Sequence, residues 1–189
     1  MRLDSLLPSD PHTQAVTEEA LRAYVQSMME LVTRTNNPLT LIAFAIDENP
    51  MLTTFRREDM GLVGRAVVRC VQQETRTYDV IGQTDATDAC GLPVFLLACP
   101  LMNESQARAL AERLRNAMIA YAREADQAWL TLSFGLAGLT IDIQDARDLI
   151  ARAIATLRRA QRRGNSTALY SVLQQHAQED ARHNGTGIP

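Results

Sequence analysis

The chain has 189 residues, of which 46% are hydrophobic and 22% are charged, a composition typical of one well-cored domain and not of a disordered or fibrous protein. Its formal net charge of −3 disfavours general binding to DNA, RNA or anionic membranes, which requires a basic excess. No apolar run approaches the roughly 20 residues of a membrane span, and no signal-peptide pattern opens the sequence. We therefore expect a cytoplasmic protein without membrane insertion.

The cysteines indicate a reducing environment. Cys70, Cys90 and Cys99 are three in number and lie in apolar stretches, so they cannot form an even disulfide framework and are predicted to lie in the core. The histidines lie near the chain ends, and no Cys/His ligand spacing occurs. The sequence therefore predicts no metal site.

The first half of the chain begins with a helix, a strand and a second helix. Apolar residues recur at helical spacing from Thr17 to Thr35 and again from Leu62 to Val71. Between them, Leu39–Ile46 is a continuous apolar run that is too short for a helix and is bounded by Pro38 and Pro50. This run predicts a central strand.

A hairpin and a third helix follow. Tyr78–Gln83 and Pro93–Cys99 have the composition of strands, and the polar residues 84–88 between them predict a turn. Asn103 is a typical helix N-cap, with Gln106 three residues further on to complete a capping box. The sequence therefore predicts a helix beginning after Asn103.

The second half ends with a strand, a helix and a short last strand. Trp129–Ala137 predicts the strand, Asp145–Arg163 the helix and Ala168–Leu173 the last strand. Gly164 and Asn165 are typical of a helix end.

The element order predicts the fold class. Without the first and last helices, the order is strand, helix, strand, strand, helix, strand, as in the α/β (α+β) palm or ferredoxin-like fold, an antiparallel sheet flanked by helices. We divide the chain into an N-terminal segment (residues 1–13), one domain (residues 14–173) and a polar C-terminal tail (residues 174–189). The layout hosts polymerases, cyclases, RNA binders and regulatory modules, so it does not by itself give a function.

Several pieces of the sequence, in order and at matching spacing, resemble the GGDEF family of diguanylate cyclase-like domains. The resemblance begins with Pro38, Leu39, Leu41, Asp47 and Gly61, which are in step with the family's first strand and the helix after it. Further similar pieces are residues 76–82, 95–100, 111–115, 131–137 and 149–165. The likeness spans residues 11–172, and it implies a palm-type sheet.

The signature of the family is degenerate in this chain. Where the family carries its glycines and acids, the sequence has Gly91, Leu92, Pro93, Val94 and Phe95. Cyclases of the family join two GTP molecules with two divalent metals held by carboxylates. Because the positions of those carboxylates carry Ala45, Pro93 and Val94, the resemblance implies a protein that is not an enzyme, has no catalytic residues and needs no cofactor.

Other positions that would hold the substrate are also changed. The positions that read guanine carry Thr53 and Leu62, and the position of a phosphate-binding lysine carries Gln161. Asp47 is the acid that remains, and we interpret it as a structural cap at the end of its strand.

A second site of the family is retained in outline. Many such domains bind cyclic di-GMP through an Arg-x-x-Asp before the hairpin and an arginine of the next helix, and Arg76, Asp79 and Arg113 match these positions. An arginine fork suits the O6 and N7 acceptors of guanine, and an aspartate accepts from its N1 and N2 donors. The resemblance therefore implies that cyclic di-GMP is the ligand.

Two alternatives to this site remain open. The hairpin is longer than the family norm, and a gapless count back from Arg113 puts Gly82 and Asp85 at the site instead. Arg76 and Asp79 could also form an ordinary surface salt bridge. We favour Arg76 and Asp79 because the residues after them keep the family's strand start.

The resemblance implies a receptor that relays cyclic di-GMP to an unidentified protein partner, in processes such as exopolysaccharide production or biofilm formation. A bound dinucleotide could also recruit an arginine of a second subunit, giving a homodimer. The alternative is a ligand-independent interaction module that docks a partner on its sheet and first helix. Met28 and Met29 on that helix are our candidate output surface, although methionines at helical spacing are also typical of a core.

Overall fold

The computed structural model describes residues 1–55, 57–87, 93–127 and 129–175. Its helices and strands, in chain order, are α1 (Glu18–Thr35), β1 (Leu39–Ile46), α2 (Arg57–Glu74), β2 (Val80–Thr87), β3 (Pro93–Pro100), α3 (Glu104–Glu124), β4 (Leu132–Gly138), α4 (Ala146–Gln161) and β5 (Thr167–Leu169). No helix within these ranges has the length and apolar character needed to cross a membrane.

The strands form one five-stranded sheet in the order β2-β3-β1-β4-β5. β1 lies at the centre and pairs antiparallel with β3 and β4, β2 pairs antiparallel with β3, and β5 is parallel to β4. β1 is buried along its whole length, as its continuous apolar run predicts. The sheet and its flanking helices confirm the predicted α/β fold.

Each face of the sheet carries its own apolar cluster. On one face, Phe44, Phe95 and Phe134 lie together, with ring centroids of Phe44 5.4 Å from Phe95 and 6.1 Å from Phe134, and residues of α2 and α3 cover them. The other face includes Ala45 and Val94 and is covered by α1 and α4. Alternate residues of β1 therefore serve opposite faces of the sheet.

The predicted cysteine positions and helix ends are confirmed where the structure describes them. Cys70 and Cys99 are both buried, and Cys90 lies outside the described residues. Asn103 and Gln106 form the predicted capping box at the start of α3, where the side chain of each accepts a hydrogen bond from the other's backbone.

The ends of three strands differ from the prediction. β2 begins at Val80 and continues to Thr87, so the predicted turn over residues 84–87 is wrong. The second half of β2 is polar and pairs with β3, with a bulge between Gln83 and Thr87. Because it lacks an apolar pattern, the sequence did not predict it as a strand. β4 begins at Leu132, and β5 ends at Leu169, after which residues 170–175 are helical.

The outer edge of β2 is covered by the chain just before α1. Val16 bridges to Gly82, donating its N–H to the Ile81 carbonyl at 2.9 Å and accepting the Gln83 N–H at 2.9 Å. Further contacts hold the chain before it, because Arg65 of α2 donates to the carbonyls of Pro11 and His12 at 2.7 and 2.8 Å. The N-terminal segment is thus packed on the domain.

Helix α4 lies unusually close to β4. A Cβ atom added at Gly135 would be 2.0 Å from the Leu157 backbone nitrogen and 2.7 Å from the Ala153 carbonyl oxygen. Only glycine permits this approach, which fixes α4 against the sheet.

Candidate functional site

Two regions of the domain correspond to the sequence predictions. The first, the β1 cleft, is a cavity of about 510 Å³ where the end of β1, the base of the hairpin and the end of α4 meet. Its polar lining residues are Asp47, Glu48, Thr87, Arg158, Gln161 and Arg162.

Asp47 is saturated by hydrogen bonds from within the chain. Its Oδ2 accepts from the Thr131 hydroxyl at 2.8 Å and from the Asn165 N–H at 2.7 Å, and its Oδ1 accepts from the Ser133 hydroxyl at 2.6 Å. These donors belong to the start of β4 and to the turn after α4. One carboxylate therefore connects the end of β1 with both of these segments. The predicted role of Asp47 as a cap at the end of β1 is confirmed.

The positions at which the family carries its metal-binding carboxylates have apolar side chains in this chain and, in the fold, apolar surroundings. Ala45 and Val94 are buried in the same cluster as Leu157 of α4, and Pro93 begins β3. Gly91 and Leu92 lie outside the described residues. Within the described part of the chain, no group of three or more His, Cys, Asp or Glu side chains is arranged to hold a metal ion.

The second region, the Arg76–Asp79 turn (residues 75–80), connects α2 to β2. Asp79 is fully buried, and its Oδ2 accepts the Arg76 N–H at 2.8 Å, which closes the turn. Its Oδ1 is buried, and no hydrogen-bond donor in the described ranges reaches it. Burial raises the pKa of Asp79, although the Arg76 N–H bond and the positive charges of Arg76 and Arg2 oppose the rise.

The side chain of Arg76 is exposed and points along the turn. Its Nη1 donates to the Tyr78 hydroxyl at 2.9 Å, and its guanidinium carbon lies 5.7 Å from the centre of the Tyr78 ring. Tyr24 of α1 donates its hydroxyl to the Tyr78 carbonyl at 2.9 Å, and burial together with the charge of Asp79 raises the pKa of Tyr24 to about 12. The turn is therefore tied to α1 as well as to α2.

Arg113 lies at the same end of α2 but holds different partners. Its Nη2 donates to the Glu74 carbonyl, and its Nε lies 3.5 Å from the Glu74 carboxylate, while its side chain remains 61% exposed. A cation at the carboxyl end of a helix interacts favourably with unpaired carbonyls there. The fold thus brings Arg113 and Arg76 to one end of α2 without a direct contact to Asp79 among the described hydrogen bonds.

The residues of the alternative register lie inside β2. Gly82 is buried against Leu21, whose side chain would be 2.7 Å from an added Cβ. Asp85 is exposed, and its N–H donates to the Glu18 carboxylate. Neither residue of this pair is at the end of α2.

Sequence reasoning missed one residue of this region, Arg2. Its Nη1 donates to the carbonyls of Gln72 and Thr75 at 2.8 and 3.2 Å, and its Nη2 donates to the Thr75 hydroxyl and the Asp79 carbonyl at 3.1 and 3.2 Å. Its Nε pairs with Asp4 at 3.2 Å, and its side chain is only 22% exposed. No local pattern marks it, because its partners lie some seventy positions further along the chain.

Comparison with known proteins identifies the fold. No protein-family model and no curated protein matches the chain. Among solved structures, the active GGEEF domain of a diguanylate cyclase from Vibrio cholerae matches with a TM-score of 0.70 at 20% identity, over 82% of this chain and 96% of that one. The GGDEF domain of DgcB from Caulobacter crescentus, solved in complex with c-di-GMP, matches with a TM-score of 0.72 at 16% identity, over 86% and 95%.

A third match includes a protein partner. Diguanylate cyclase SiaD from Pseudomonas aeruginosa, solved with its activator SiaC, matches with a TM-score of 0.73 at 21% identity, over 85% of this chain and 61% of SiaD. The chain therefore has the fold of GGDEF domains, as its sequence resemblance predicts.

Proposed function

We propose that this chain is a catalytically inactive GGDEF-fold domain that binds cyclic di-GMP through Arg76, Asp79 and Arg113. The observation that carries the proposal is the composition of the end of α2, which brings together the exposed guanidinium groups of Arg76 and Arg113 and the Asp79 carboxylate, whose Oδ1 has no donor in the described ranges. Guanine offers the complement, with acceptors for an arginine fork and N–H donors for a carboxylate.

The positions of Arg113 and Asp85 favour this register over the alternative one. Arg113 bonds Glu74, which lies two residues before Arg76, whereas Asp85 lies inside β2 and near α1. A ligand that uses Arg113 therefore has Arg76 and Asp79 as its neighbours.

The absence of catalysis is supported by the chemistry of the β1 cleft. Two divalent metals need several oxygen ligands, and Ala45, Pro93 and Val94 supply none from their side chains. Asp47 has its acceptors occupied by three donors of the chain itself. We expect no cyclic dinucleotide from GTP with magnesium or manganese even at high protein concentration, and product that rises with protein but is absent from a mock purification would disprove inactivity.

Calorimetry with cyclic di-GMP tests the binding site. Arg76→Ala and Arg113→Ala should each weaken binding about 10- to 100-fold, the effect of losing a bidentate contact of about 1 to 3 kcal/mol. Arg108→Ala is the matched control, because Arg108 is an exposed arginine of the same helix as Arg113.

A second control separates the two registers. Asp85→Ala should leave the affinity unchanged, because Asp85 lies away from the end of α2. Loss of binding in Asp85→Ala with full binding in Asp79→Asn would mean that the site is in the other register.

The signal would pass to a protein partner, which the resemblance connects with exopolysaccharide or biofilm control. A ligand that signals must favour one of two states, so cyclic di-GMP should change partner affinity or self-association. Light scattering and partner pull-down with and without ligand measure this. If neither saturating cyclic di-GMP nor the Arg76→Ala substitution changes the affinity for the partner, the ligand-independent interaction module is favoured.

The scaffold alternative has its own supporting observation. Asp79 is buried, and Arg113 already contacts Glu74, so both side chains could serve only to stabilise the fold at the end of α2.

In addition, Leu31 and Ile141 are 50% and 106% exposed beside the end of α1, next to a groove of about 600 Å³. The prediction of Met28 and Met29 as an output surface is wrong for Met29, which is only 6% exposed and lies in the core, with Met28 packed against it. A partner that binds this groove without ligand would support the interaction module.

A further inference from the structure

The first residues of the chain lie across the Arg76–Asp79 turn. The Leu3 N–H donates to the Thr77 carbonyl at 2.8 Å, and the Arg2 guanidinium reaches the Asp79 carbonyl at 3.2 Å. Backbone and side chain of the N-terminal segment thus bond to the same turn that carries Arg76 and Asp79.

Arg2 also completes the end of α2. It donates to the carbonyls of Gln72 and Thr75, which the helix itself leaves without partners at its carboxyl end. Asp4, which is only 5% exposed, holds Arg2 by an ion pair and accepts from the Gln72 side chain at 3.1 Å. All three nitrogens of the Arg2 guanidinium therefore have partners, and the position of the side chain is fixed by several contacts.

This contact bears on whether a ligand can reach Asp79. A guanine can donate to the Asp79 carboxylate only if that carboxylate is reached from solvent, and its residue has no exposed surface. The positive charge of Arg2 acts on the same carboxylate, where a bound guanine would be placed. The N-terminal segment bonds the Asp79 backbone carbonyl, and the ligand would bond the Asp79 carboxylate, so both would have to reach the same buried residue.

We infer that Arg2 is a determinant of the candidate site: docking of the N-terminal segment through Arg2 and binding of a guanine nucleotide at the Arg76–Asp79 turn exclude each other. The inference rests on the proposed function for its ligand, but the docking itself does not. When the competent state is only a fraction of the population, the apparent affinity falls by that fraction. Loss of Arg2 must then tighten binding, and bound ligand must release the segment.

Hydrogen exchange without ligand tests the docking. In Arg2→Ala, the amides of residues 2–4 and 76–80 should exchange at least about 10-fold faster than in the wild-type chain, because they lose the groups that hold them. Arg34→Ala is the control with the same change of charge, since Arg34 is 77% exposed and, among the residues that the structure describes, pairs with Glu30 at 3.9 Å. Unchanged exchange in Arg2→Ala would overturn the inference whatever the ligand does.

Calorimetry with cyclic di-GMP tests the competition. Arg2→Ala should bind about 10-fold more tightly than the wild-type chain and Arg34→Ala, and saturating ligand should speed exchange of the Leu3 amide in the wild type. Arg2→Lys, which keeps the charge but not the fork, should give an intermediate affinity, so the result does not depend on the stability of one variant.

The outcomes separate the two proposals. Faster exchange in Arg2→Ala with no binding by any variant would support the docking and overturn the proposed function. If Arg2→Ala binds cyclic di-GMP as tightly as the wild-type chain, Arg2 does not affect the site; if it binds more weakly, Arg2 contacts the ligand. Either result would overturn the competition and leave the proposed function in place.

Discussion

The β1 cleft and the Arg76–Asp79 turn each contain one aspartate at the end of a strand, and the two aspartates differ in how their oxygens are used. Asp47 follows β1 and accepts from Thr131, Ser133 and Asn165, so its acceptors serve the fold. Asp79 precedes β2, accepts one N–H and has a buried oxygen without a donor in the described ranges. A buried acceptor without a hydrogen-bond donor costs free energy of folding, and a ligand that donates to it recovers that free energy.

The comparison shows which of the two regions leaves an acceptor available. In the β1 cleft, Ala45 and Val94 are buried in one cluster with Leu157, and Asp47 accepts hydrogen bonds from the chain itself. At the Arg76–Asp79 turn, one carboxylate oxygen has no donor in the described ranges. Four substitutions break or sharpen this contrast, and they are ordered from the largest expected effect to the smallest.

Gly135→Ala should cost more than about 3 kcal/mol of unfolding free energy, because a methyl group 2.0 Å from the Leu157 nitrogen forces α4 off the sheet. Urea unfolding followed by circular dichroism measures it. Gly138→Ala is the matched control, since its added Cβ would meet the flexible Glu104 side chain at 3.1 Å and should cost little. Equal costs for the two variants would mean that α4 is not fixed as a wall of the β1 cleft.

Asp47→Ala should cost about 2 to 3 kcal/mol, because it leaves the Asn165 N–H and two hydroxyls, one of them on the buried Ser133, without their acceptor. The same unfolding measurement applies, with the exposed neighbour in Glu48→Ala as the control. A cost below about 0.5 kcal/mol would show that Asp47 is not the structural group that its contacts indicate.

Asp79→Asn should stabilise the chain at pH 7 by about 1 kcal/mol, because a neutral amide costs less to bury than a carboxylate without a full set of donors. The native pKa of Asp79 is raised above its ordinary value of 3.8, so the wild type loses stability as the pH rises through that interval. The advantage of the variant should therefore shrink as the pH falls towards 3.8. An advantage that is constant with pH would contradict the buried charge.

Asp142→Asn should have the smallest effect and the opposite pH dependence. Hydrogen bonds from Thr140 and Arg152 lower the pKa of Asp142, so its contribution is present above the ordinary pKa and is lost as the pH falls through the lowered one. Because Asp142 is an exposed group, we expect only a slight loss of stability at pH 7. The difference in Tm between each aspartate variant and the wild type, measured across pH 3 to 7, should thus change with pH in opposite directions for the two variants.

The sequence predicted the order of the elements well, because apolar periodicity and caps are local signals. The Asn103–Gln106 capping box and the buried β1 strand are examples. The outer half of β2 was missed, since its polar residues are held by pairing with β3 and not by burial. Register along such an edge depends on the partner strand, which local reasoning does not see.

The candidate site was only partly predictable. The resemblance indicated Arg76, Asp79 and Arg113, and the fold brings all three to the region around the end of α2. Arg2 was missed because its contacts join the beginning of the chain to residues 72–79. Such a contact is set by tertiary packing and leaves no periodic trace in the sequence.

The single bridge between Val16 and Gly82 also bears on how copies of this chain could associate. The outer edge of a sheet is a template on which another strand can add, and here Val16 occupies two hydrogen-bonding positions of that edge. Arg2 and Val16 make separate contacts, Arg2 at the Arg76–Asp79 turn and Val16 at the edge of β2. Detachment of the chain past Val16 would expose the backbone groups of that edge, so Val16 protects β2 from pairing with a strand of a neighbouring molecule.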